Sequence, residues 1–109
     1  MPAQANRADR RLPVRTRVAT LDGDYAGWNA TLRTNPPMRV LTEFSSGQFD
    51  RILSALREVV IDWDFVDEEG QPLPAPADGG LEACPLDLMQ GLVRAFNAAL
   101  VPEADVPKG

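Results

Sequence analysis

One stretch governs what this chain can become: Asp62-Trp63-Asp64-Phe65-Val66-Asp67-Glu68-Glu69-Gly70-Gln71-Pro72-Leu73-Pro74. Large apolar residues alternate with acids and then stop at a Gly/Pro turn. A period of two is that of a strand, with Trp63 and Phe65 on one face and Asp62 and Asp64 on the other. Amphipathic helical patterns lie on both sides of it. A short strand between two helices predicts an α+β fold and makes this stretch its hinge and a candidate recognition surface. Trp63 and Phe65 are expected in the core, where truncating a buried Trp to Ala costs about 3–5 kcal/mol.

The helix before the hinge is expected from about Ser46 to Ile61. Phe49, Ile52, Leu53, Leu56, Val60 and Trp63 recur at spacings of three and four and form one apolar stripe. Ser45 with Gln48 three residues on fits a capping box, with Gly47 inside the first turn. The β-branched run Val59-Val60-Ile61 favours an exit into extended chain. The helix after the hinge starts at Pro85, whose missing N–H suits the first helical position. Its stripe is Met89, Leu92, Val93, Phe96 and Leu100, and Pro102 ends it. Gly70 to Gly80 reads as a loop with a stiff, polyproline-like centre acting as a spacer.

Upstream, Val14, Thr16, Val18 and Thr20 alternate with Arg15, Arg17 and Ala19. Asp22-Gly23 then supplies a hairpin turn signal, because Gly takes positive φ at little cost. The return run, Tyr25 to Arg33, carries Trp28 as a core candidate and Gly27 as a possible bulge. Thr34-Asn35-Pro36-Pro37 stops it. Met38 to Phe44 fits a strand or a helical turn equally. The organisation expected is a flexible basic arm over 1–12, one globular domain over 13–101 and a flexible tail over 102–109.

Charge is polarised. Residues 1–17 hold Arg7, Arg10, Arg11, Arg15 and Arg17 against one acid, while the remainder carries the excess acid behind the overall −5. Such an arm can reach nucleic acid phosphates or the acidic face of a neighbouring copy. The chain has no His and one Cys, Cys84. A Ser/His/Asp or Cys/His mechanism is therefore impossible in it, as is a disulfide within it. The cluster Asp62, Asp64, Asp67, Glu68 and Glu69 lacks the closing Glu of a calcium loop, and it reads as a solvated strand face. No cofactor, no metal and no enzymatic activity are expected. No segment approaches the ~18 apolar residues of a membrane span.

Two motifs carry a resemblance. One is Leu21-Asp22-Gly23-Asp24-Tyr25-x-x-Trp28 followed by Leu32-Arg33-Thr34-Asn35-Pro36-Pro37. The other is Val60-Ile61-x-Trp63-x-Phe65-x-Asp67-Glu68-Glu69-Gly70-x-Pro72-Leu73-Pro74 with a helix beyond. Over roughly residues 18–100 the chain resembles small proteins of tailed-phage structural gene clusters, in particular tail assembly chaperones. The resemblance implies a non-enzymatic protein that binds the tape-measure protein or tail subunits in the host cytoplasm. The expected contacts are Met89, Leu92 and Phe96, with Asp67, Glu68 and Glu69 steering the partner. The alternative is a virion component, such as a head–tail connector or minor capsid protein, that docks its Arg arm on neighbours or DNA. A homo-oligomer is compatible with both.

Overall fold

The alternating run becomes strand β1 (Thr16–Thr20) and its return becomes β2 (Asn29–Arg33) in a computed structural model that describes residues 11–100. They pair antiparallel, from Thr16 opposite Arg33 to Thr20 opposite Asn29. The connection is not a tight Asp-Gly turn. Leu21 N–H donates to Trp28 O at 2.8 Å, and the chain between them makes a 3₁₀ turn over Gly23–Tyr25. The longer loop buries Leu21 and sets the Tyr25 and Trp28 rings edge to face at 5.1 Å. That apolar burial outweighs the turn preference of Asp-Gly. Gly27 lies in this loop, before β2, with φ 91°.

The sheet's third strand, β3 (Val60–Trp63), pairs with β2 on the side away from β1. Ala30 faces Trp63 and Thr31 faces Asp62, but Leu32 faces Val60, so Ile61 is an extra residue. This bulge has a packing reason. Val60 and Trp63 are three apart and would point to opposite faces of a regular strand. One inserted residue turns both toward the core. The same spacing of three made them look like part of a helical stripe.

Among the described residues three α-helices accompany the sheet: α1 (Met38–Phe44), α2 (Phe49–Val59) and α3 (Leu86–Leu100). The undecided segment after the prolines is thus helical, because Val40 buries completely and Phe44 stacks on Phe96 at 4.8 Å. The predicted capping box does not form. Ser45 is the C-cap of α1, and its hydroxyl donates to Leu41 O. Gly47, at φ 76°, separates the helices, so α2 starts at Phe49 with Gln48 as its cap. The helix ends at Val59, and the β-branched run leads directly into β3.

Ala30, Leu32, Leu56, Val59, Val60, Phe65, Leu81, Leu88, Leu92 and Phe96 close the core between the helices and one face of the sheet. Ile52, Leu53, Trp28, Trp63 and Val93 pack half-buried around it. Phe49 does not belong to it: the residue, at the first turn of α2, is 63% exposed. The Gly70–Gly80 segment is not a spacer either. Leu73 N–H donates to Phe65 O, the Trp63 indole N–H donates to Pro74 O at 3.1 Å, and Pro76 is buried. The segment folds back on the stacked Trp63 and Phe65 rings, whose centroids are 4.5 Å apart. Residues 1–10 and 101–109 lie outside the described residues, and with them Arg7, Arg10, Pro102, most of the expected arm and all of the expected tail.

Candidate functional site

Two open grooves flank the core. The larger, about 650 Å³, lies where the β1–β2 loop, the acidic turn and the start of α3 meet. Tyr25, Trp28, Leu73, Pro85 and Leu88 give it an apolar lining, and Asp67 and Glu68 stand on its rim. Tyr25 OH donates to Asp87 Oδ1 at 2.7 Å and ties the loop to α3. That hydrogen bond to a carboxylate, then burial and the nearby acids, push the phenol up to about 12.

The acids beside this groove are mostly engaged in holding backbone. Asp67 Oδ1 accepts the N–H of Glu69 at 2.8 Å and of Gln71 at 2.9 Å, closing the turn at Gly70. Asp64 accepts the N–H of Asn29 at 2.8 Å and its side-chain amide at 3.0 Å. Those donors hold its carboxyl below the usual range. Asp62 accepts the Trp63 N–H. The alternating carboxylates therefore clamp β3, its turn and β2 together. Glu68 and Glu69 remain exposed. Among the described residues no three metal-ligating side chains converge. Cys84 is half-buried, and its S–H lies 3.4 Å from Gly80 O. Burial, with Glu82 nearby, pushes the thiol up to about 11, which keeps it protonated and poorly nucleophilic at neutral pH.

The second groove, about 490 Å³, runs between α2 and α3 and is lined by Phe49, Ile52, Met89, Gln90, Val93 and Arg94. Here the expected contact face is corrected. Leu92 and Phe96 are completely buried and cannot meet a partner in this conformation. Residues 88, 92 and 96 follow one another at intervals of four and form the ridge that enters the core. Met89 and Val93 form the adjacent ridge, which borders the groove. That ridge spacing is in the sequence, and Leu88 is the residue whose omission hid it. Phe49 is the other residue missed, because a stripe of correct period reads as core along its whole length. Arg94 sits on the rim, 3.6 Å from Asp22, and both side chains are largely exposed. A pairing of this kind contributes little and leaves the guanidinium able to turn to another acid.

Comparison with family models, curated proteins and solved structures returns no match for this chain. No helix among the described residues is long and apolar enough to cross a membrane.

Proposed function

We propose that this chain is a non-enzymatic binding protein of phage tail assembly, whose α2–α3 groove receives an apolar helical segment of the tape-measure or another tail protein. The observation that carries the reading is the exposed Phe49 ring beside half-buried Ile52, Met89 and Val93. A largely exposed Phe at the end of an apolar groove is a ready anchor for a partner. Met adapts its shape to different side chains, which suits a surface that must cover several related segments. A helix laid in the groove would present residues at i, i+3, i+4 and i+7. Covering them before the tail polymerises would keep them from aggregating. The sequence resemblance supports the choice of partner.

Co-expression tests this. The tape-measure protein is expected to stay soluble with the wild-type chain and to precipitate with Phe49→Asp or Met89→Asp. Equal solubility with folded variants would sink the proposal. A virion-resident role is the second reading, favoured by Arg15 and Arg17 beside an open sheet edge. It predicts the chain in purified particles.

A further inference from the structure

Among the described residues, the three-stranded sheet has one closed edge and one open edge. At β3, the Trp63 N–H is taken by the Asp62 carboxylate, Phe65 O accepts from Leu73, and the 74–80 segment packs alongside. At β1 no described strand lies on the outer side. Thr34 N–H donates to Arg15 O, and Leu21 N–H donates to Trp28 O, both at 2.8 Å. These bonds fix the phase of the ladder: the odd-numbered residues 15 to 21 turn their backbone groups toward β2. Thr16, Val18 and Thr20 therefore turn theirs outward. The side chains there are exposed and include Val18 at 64%, with Val14 at 61% continuing the apolar row. Among the described residues this edge has no strand partner, and such an edge is a template for another strand.

The charge along this strand selects the partner. Arg11 and Arg15 precede the strand, Arg17 is its second residue, and Asp22 and Asp24 follow its end. A second β1 laid antiparallel brings each basic end beside the acidic end of the other. A parallel copy would set like charges together. We infer that the open β1 edge pairs with β1 of a second copy, antiparallel, with the two Val18 residues at the two-fold axis. Thr16 then faces Thr20 of the other copy, and Arg17 faces Ala19, so no two Arg residues are directly opposed. The product is one continuous sheet of order β3-β2-β1-β1-β2-β3, an isologous dimer that closes on itself. An interface of this modest extent belongs to the weaker, concentration-dependent class.

Sedimentation velocity on the full chain, from low micromolar to near-millimolar concentration, tests the pairing. The wild type is expected to pass from monomer to dimer, less readily as salt screens the charges. Val18→Pro removes an outward N–H that β2 does not use, so it should stay monomeric with an unchanged circular dichroism spectrum. Arg15→Glu should weaken the dimer at least about tenfold, and adding Asp22→Arg should restore it. Should the proline variant fail to fold, this charge pair still decides the matter. A wild type that is monomeric throughout overturns the inference. So does a dimer indifferent to both Val18→Pro and Arg15→Glu, or a double charge variant as weak as the single.

Discussion

Gly80→Ala is the sharpest test of how the wall of the larger groove is held. Gly80 is buried, and its backbone lies in the right-handed region at φ −63°. By backbone preference alone, Ala there should stabilise by about 0.4–1 kcal/mol. Packing predicts the reverse. A Cβ on Gly80 would overlap Pro74 O, lie 2.5 Å from Trp63 Cζ2 and 2.9 Å from Ala75 O. Two of these three atoms are backbone carbonyls and cannot swing aside. Relieving the overlap means moving Trp63 off Pro74 and weakening its indole hydrogen bond. Overpacking costs about 1–3 kcal/mol and a lost hydrogen bond about 1 kcal/mol more, so the expected loss is about 2–4 kcal/mol. Urea unfolding followed by tryptophan emission measures it. Gly79→Ala, at φ 94° with open space around it, should lose only about 1–2 kcal/mol from the left-handed backbone. A Gly80→Ala protein as stable as wild type would refute the close packing of the 74–80 segment on Trp63.

Tyr25 is the only tyrosine, so phenolate absorbance reports it alone; its midpoint should lie near 12. Because its folded value is raised, the stability it contributes is present below about pH 10 and is lost as pH rises through the folded value. Tyr25→Phe should cost about 1 kcal/mol at neutral pH and lack that alkaline loss. Asp64 has the opposite sign. Its lowered folded value means that its contribution is present above about pH 4 and falls away on further acidification. Denaturant unfolding of Asp64→Asn should show a shallower acid-side decline than wild type. Gly91→Ala should stabilise by up to about 1 kcal/mol, because the new Cβ meets only Leu21 Cδ2 at 3.4 Å and the Arg94 side chain. A lower melting temperature would contradict this.

The α+β class was legible because it rests on local periodicity: the alternation of β1, the stripe of α2 and a strand at Trp63, although that strand runs Val60–Trp63 and leaves Phe65 beyond its end. What was not legible depends on competition between elements. Asp22-Gly23 favours a tight turn, but burial of Leu21 and Trp28 selects a longer loop. Ser45 is an able N-cap, yet α1 exists and takes it as a C-cap. Val60 and Trp63 fit a helical spacing that a β-bulge reproduces. The candidate sites show the same divide. The half-buried place of Met89 beside a groove was readable, whereas the burial of Leu92 and Phe96 depends on how deeply α3 sits against α1 and the sheet. Phe49 carries no local mark of exposure, since only the position where α2 begins carries its ring clear of the core.

The affinity of the tape-measure protein for Phe49→Asp, compared with Leu86→Asp, bears most directly on the proposed groove. Both residues are exposed, at 63% and 49%, but only Phe49 lines the groove. Burying the rest of the Phe49 ring should supply about 1–2 kcal/mol, and a carboxylate there adds a desolvation penalty. Titration calorimetry should therefore show at least about a hundredfold loss for Phe49→Asp and wild-type affinity for Leu86→Asp. Equal affinity for both folded variants, or a loss confined to Leu86→Asp, would contradict the assignment of this groove.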